Sequence, residues 1–307
     1  MSLSLWALKH ALKEQGRGLA AYGDRWRYPR AFAAQLGDAE AGAWIAAALR
    51  ARRPVLVGRL GAVESRLLGE ARWRGGRFSR ITFRQAHANA GLFPLEPTAL
   101  VAAAERLGSA LAAVDLLARW DSPYQARLVD GLDPRPQMGA LSALEPWWQS
   151  QPWSAALAGL RVLVVHPFVA SIEAQWHRRQ SLFSDPAVLP SFALQTLRPP
   201  QTLGGASEGH SSWSAALDGL IAQVAALQFD VALLGCGAYG LPLGAAIKAQ
   251  GRAAVHLGGA LQLLFGIRGR RWETIPRYAA LSNTAWVRPL PEETPAAAAL
   301  VDGGCYW

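Results

Sequence analysis

"LLGCGAYGLPLGAAIKAQGRAAVHLGG", residues 233–259, carries a G-x-G-x-x-G at Gly235, Gly237 and Gly240. Val231 to Leu234 is a short apolar run flanked by glycine, which reads as a buried strand. Leu241 to Gln250 reads as a helix ended by Gly251, and Ala253 to Leu257 as the next strand. The stretch is therefore a βαβ unit with a glycine turn at its first strand–helix junction. Such glycines let backbone approach a ligand closely, and the helix N-terminus offers free N–H groups to an anion. Tight strand–helix packing is the other use of the same glycines. A nicotinamide dinucleotide site places an acid about 20 residues beyond the first glycine to hold the ribose. Here no acid occurs between Asp230 and Glu273, the second strand ends in His256, and Arg252 precedes that strand.

Working outward, the second half alternates strand and helix. "RVLVVHPF" (161–168) is a strand and turn, Ser171 to Phe183 a helix and "LPSFALQTL" a strand. The loop "RPPQTLGGASEGHSS" follows, and then a helix from Trp213 to Leu227. In the first half, Asp38 to Arg52 and 62–70 read as helices, 54–58 as a strand, and Pro97 to Trp120 as one long helical stretch. This alternation predicts an α/β fold, Rossmann-like, with a mostly parallel sheet and helices on both faces. The chain reads as one domain, 1–307. Its sub-regions are 1–120, a Pro/Trp-rich junction over 121–158 that serves as hinge, and a nucleotide-binding half over 159–307. Ligands of such sheets bind beyond the carboxyl ends of the strands. Those ends carry Gly58–Gly61, His166–Pro167, Gln201–Gly205, Gly235–Tyr239 and His256–Gly259, which should meet in one crevice.

Composition narrows the partners. With 307 residues, 51% of them hydrophobic, the chain can bury a large core. No apolar run reaches the length of a membrane span. Residues 1–18 hold Leu5, Leu8 and Leu12 at helical spacing beside Lys9 and Lys13, without a signal-peptide pattern. That is a surface helix, which leaves peripheral membrane contact open. Cys236 and Cys305 give neither a disulfide framework nor metal spacing, in keeping with a cytoplasmic protein. The net charge of +9 favours anionic partners. Its arginines cluster at 72–80 and 268–271, and no nucleic-acid motif accompanies them, so no nucleic-acid partner is expected.

Three segments resemble bacterial glycosyltransferases of the GT-D fold type, which act in polysaccharide and protein glycosylation. "VGRLGAVES" (57–65) is similar to the family's strand–turn motif of Arg, an aromatic or aliphatic residue, Gly and D-x-E. "LRVLVVHPFVASIEAQ" (160–175) and residues 229–259 resemble its later strand–helix and βαβ units. The resemblance implies a nucleotide-sugar donor, often UDP-linked, and a glycan, lipid-linked or protein acceptor. It also implies a divalent metal, Mn²⁺ or Mg²⁺, on the D-x-E. That motif here reads Ala62-Val63-Glu64, so only Glu64 remains as a metal ligand, and Arg59 is the alternative neutraliser of the diphosphate.

The residues themselves support such chemistry. Sugar transfer needs the charge of the leaving group stabilised and a base for the acceptor hydroxyl. Arg59 suits the first task; Glu64 and His256 suit the second, with Glu208 and His210 in a loop able to close over the site. Gly61, Gly235, Gly237 and Gly258 would allow backbone close to the donor. Tyr239 would stack on it, and Asn89, Gln201 and Thr202 would contact it. Two other readings stay open: an NAD(P)- or flavin-dependent oxidoreductase, and a non-catalytic nucleotide- or glycan-binding protein.

Overall fold

A computed structural model describes residues 24–33, 35–295, 298–301 and 303–307. The amphipathic stretch at residues 1–18 lies outside the described residues. Eight strands form one sheet: β1 (Gln35–Leu36), β2 (Leu56–Arg59), β3 (Leu116–Arg119), β4 (Gln137–Ala140), β5 (Arg161–Val165), β6 (Ala193–Leu197), β7 (Val231–Leu234) and β8 (Ala253–His256). Their order is β1-β4-β3-β2-β8-β7-β5-β6, and every pairing is parallel. The expected parallel α/β sheet is present, and it contains no antiparallel pair.

The central strands β5, β7 and β8 read as apolar runs because both faces are covered. Leu163, Val165, Ala232, Leu234 and Ala254 face one core. Val162, Val164, Val231, Leu233 and Val255 alternate with them and face the other. On the first face lie α2 (Ala62–Trp73), α3 (Arg80–Ala88), α4 (Pro97–Ala112), α5 (Gln125–Asp130), α7 (Trp213–Ala225) and α8 (Gly240–Ala249). The second face holds α1 (Asp38–Arg50), α6 (Val169–Trp176), the short α9 (Leu261–Leu264) and the 3₁₀ turns between residues 141 and 157.

One expectation is corrected. The stretch from Pro97 to Trp120 is not one helix: α4 ends at Ala112 and β3 follows. Asp115 marks the break. Its carboxylate accepts from the Leu56 amide at 2.8 Å and pairs with Lys248 Nζ at 2.8 Å, which fastens the start of β3 to β2 and α8. Residues 121–158, read as a junction, are built into the sheet. They supply α5 and β4, and β4 lies between β1 and β3 inside the sheet. The two halves of the chain join at β2 and β8, where Leu56 pairs with Ala254 and Val57 with Val255.

The connections leave the strands on alternating faces. β5 leads to α6 on the second face and β7 to α8 on the first; β8 leads to α9 on the second and β2 to α2 on the first. Where neighbouring connections diverge, a crevice opens at the carboxyl ends of the strands. Here that happens across β5, β7, β8 and β2.

Candidate functional site

Four strand ends approach each other closely. A Cβ on Gly235, after β7, would collide with the His166 ring after β5, and would lie 3.1 Å from the Gly258 carbonyl oxygen after β8. A Cβ on Gly258 would lie 3.2 Å from Arg59 Cδ at the end of β2. A fifth end joins through Trp120, the residue after β3: the Arg59 guanidinium lies 4.2 Å from the centroid of its ring. Arg271 comes to the same ring at 5.7 Å and donates to the Tyr306 hydroxyl at 3.3 Å.

Arg59 and Arg271 are half-buried, and each is a charge the other feels. Burial lowers the Arg59 pKa; Tyr306 opposes that, Arg271 adds to it, and Glu64 and Glu145 favour the charged form. The group stays a cation at any ordinary pH. Glu64 sits in the first turn of α2, with its carboxylate against Gly61, whose missing side chain leaves the room. Burial raises the Glu64 pKa, against the hydrogen bond from its own backbone N–H and the charge of Arg59. A carboxylate held this way is a good proton acceptor.

Glu145 lies behind this group. It is 5% exposed and accepts from the Tyr278 hydroxyl and from Trp148 Nε1, each at 2.8 Å. Burial is the main cause of its raised pKa, in spite of those bonds and of Arg277 and Arg59.

The glycine turn has two functions. Gly240 makes way for the His256 ring, and Gly235 for His166. Gly237 is different: it is exposed, adopts φ +56°, and has no atom within 4 Å of where its Cβ would be. Of the three glycines, it is the one with open space for a ligand.

Several assignments change. His256 is not placed to act as a base. It is 6% exposed, with Nδ1 3.2 Å from the Leu234 carbonyl oxygen, and burial plus the Arg59 charge push its pKa down to about 3. Tyr239 is buried among the protein's own side chains. Its ring stacks on Trp213 at 5.2 Å, and its hydroxyl meets Thr202 Oγ1 at 2.9 Å. Both Tyr239 and Thr202 are buried, so this pair fastens the loop after β6 to the glycine turn. Gln201 turns its amide back to the Pro199 carbonyl at 3.1 Å. Asn89 caps the C-terminus of α3, beside Gly91, where any side chain would collide with Thr202.

Glu208 is committed as well. Burial would raise its pKa, but the hydrogen bonds from Arg198 and the Gln201 amide and the Arg198 charge hold it below the usual range. His210 lies against Gly219 of α7. Thus Arg59, Gly61, Glu64, Gly235 and Gly258 come together at the carboxyl ends of the strands, with Gly237 open on the glycine turn. Asn89, Gln201 and Thr202 form a second group around the loop after β6.

Trp120, Glu145, Arg271 and Tyr306 complete the site without a motif to announce them. Only the arginine cluster at 268–271 gave a local sign. Among the described residues no three His, Cys, Asp or Glu side chains are grouped to hold an ion. Glu64 has the cation Arg59 as its electrostatic partner. No family model, curated protein or solved structure matches the chain.

Proposed function

We propose that this protein is a glycosyltransferase that moves a sugar from a nucleoside diphosphate, most simply a UDP-linked donor, to a hydroxyl of a glycan, lipid-linked or protein acceptor. The setting would be bacterial surface polysaccharide or glycoprotein synthesis on the cytoplasmic side. The observation that carries this reading is the pair Arg59 and Arg271, two half-buried cations sharing one indole at the strand ends. Two like charges so placed favour a doubly charged anion between them.

In the proposed reaction the bond from the anomeric carbon to the diphosphate oxygen breaks, and its electron pair leaves with the diphosphate. Arg59 and Arg271 stabilise the charge that develops there. The acceptor oxygen forms the new bond to the anomeric carbon, and its proton passes to Glu64. The open face of Gly237 admits the donor backbone to backbone. No step is assigned to a metal.

A non-catalytic nucleotide binder would share the cations but not need Glu64. Thermal unfolding with UDP, GDP, dTDP, CMP and NAD, each with and without Mn²⁺, tests the ligand class, because a ligand selective for the native state raises the midpoint. Stabilisation by a nucleoside diphosphate is expected. Stabilisation by NAD alone would overturn the reading. Release of UDP from UDP-sugars by wild type but not by Glu64→Gln separates enzyme from binder.

A further inference from the structure

Residues 71–95 carry Arg72, Arg74, Arg77, Arg80 and Arg84 and no acid. Two carboxylates flank this stretch: Glu96, exposed, follows Leu95, whereas Glu70, on the side of the arginines, is 3% exposed and is held internally, accepting from the Ser79 amide at 2.7 Å and pairing with Arg74 at 3.3 Å. That bond fixes the start of α3, and Arg66 fixes its middle by donating to Gln85 at 2.7 Å. α3 turns Thr82 and Ala86 inward. Arg80, Ile81 and Arg84, spaced as one helical face, point outward together with Arg77 just before the helix. Among the described residues no acidic side chain pairs with Arg77, Arg80 or Arg84. Ile81 is 50% exposed between them, and Leu95, at the end of the same acid-free stretch, is 39% exposed.

We propose that this face, Arg77, Arg80, Ile81 and Arg84, docks the protein on an anionic lipid surface. The charge on this face is of one sign and local. Exposed aliphatic tips among arginines match an interface in which charge meets headgroups and the tips enter the acyl boundary. The far end of α3 reaches the crevice side: His87 packs on Gly205, and Gly91 on Thr202, in the loop after β6. Docking through α3 would hold that loop close to the membrane. This inference does not depend on the proposed sugar transfer.

The test is co-sedimentation of the full chain with phosphatidylcholine vesicles, with and without phosphatidylglycerol. Binding is expected only when phosphatidylglycerol is present, and salt should weaken it. Each basic side chain at such a surface is worth about fivefold in partitioning, so Arg77→Gln/Arg80→Gln/Arg84→Gln should bind on the order of 100-fold more weakly. Ile81→Ser should weaken binding by less. Arg50→Gln/Arg53→Gln/Arg178→Gln removes the same charge from other exposed positions and should bind as wild type. The proposal is overturned if wild type ignores the anionic vesicles. It is equally overturned if both triple variants lose binding alike, or if RNA or DNA competes the protein off the vesicles through the same three arginines.

Discussion

Two regions meet at the carboxyl ends of the strands, and they differ in kind. Around β7 and β8 the glycine turn is packed and neutral: His166 and His256 are buried, and Gly235 and Gly240 exist to make room for their rings. Around β2 and β3 the residues are charged and half-buried: Arg59, Glu64 and Arg271 gather at Trp120, with Glu145 behind them. The region that looks most like a binding motif is mainly architecture. The turn from β2 into α2 holds the charged groups. A glycine pattern reports that something comes close to the backbone, and that something can be the protein's own side chain.

The two regions should respond to acid with opposite signs. His166 and His256 have pKa values pushed from 6.5 to about 3 by burial. Below the unfolded pKa the unfolded chain binds more protons, so stability is lost as pH falls through that window. The loss is about 1.4 kcal/mol per pH unit for each histidine. Glu64 and Glu145 have raised pKa values; their contribution is full below the unfolded pKa and is lost as pH rises through the folded one. Urea unfolding between pH 7 and pH 5 should therefore show a net loss on acidification. His256→Asn should flatten the slope and Glu145→Gln should steepen it. Equal slopes in all three proteins would dissolve the contrast.

The charged region should carry the chemistry. Glu64→Gln and Arg59→Met should each fold and lose about 100-fold or more in turnover at saturating donor, the usual size of one lost transition-state contact. Near-wild-type transfer by both would move the chemistry elsewhere.

Much of the fold was legible, because β2, β5, β7 and β8 are largely apolar runs bounded by turn signals. β3 was not. Its "LLAR" follows an Ala/Leu-rich helix, and three apolar residues and an arginine carry no period of their own. β1 has two residues and β4 reads "QMGA", too little pattern to register. Arg59, Gly61 and Glu64 were legible because they lie within one turn. Trp120, Glu145, Arg271 and Tyr306 come from four separate segments, and only the sheet order brings them together. The burial of His256 and Tyr239 was not legible, because position at a strand end does not reveal which way a ring turns.

The glycine turn offers a subtler break. Gly240→Ala places a methyl group in the His256 ring, an overpacking change that should cost about 1–3 kcal/mol. Thermal unfolding reads this directly, and the loss should be relieved in the double variant with His256→Ala. Full stability of Gly240→Ala would mean that the ring is free to move, and the packed description of this region would fail.

Gly237 sets the smallest and sharpest test. Its φ of +56° penalises any residue with a Cβ, and its surroundings are open. Alanine in the left-handed region costs about 1–2 kcal/mol, whereas asparagine is enriched there and should cost less. If the open space belongs to a donor, the ranking reverses for binding, because the larger asparagine side chain fills more of it. Gly237→Ala should then be the less stable variant, and Gly237→Asn the weaker binder of nucleoside diphosphate. Thermal unfolding with and without UDP measures both quantities in one series. If affinity follows stability instead, with Gly237→Asn binding as wild type, Gly237 serves the backbone alone. The turn would then belong wholly to the architecture of β7 and β8.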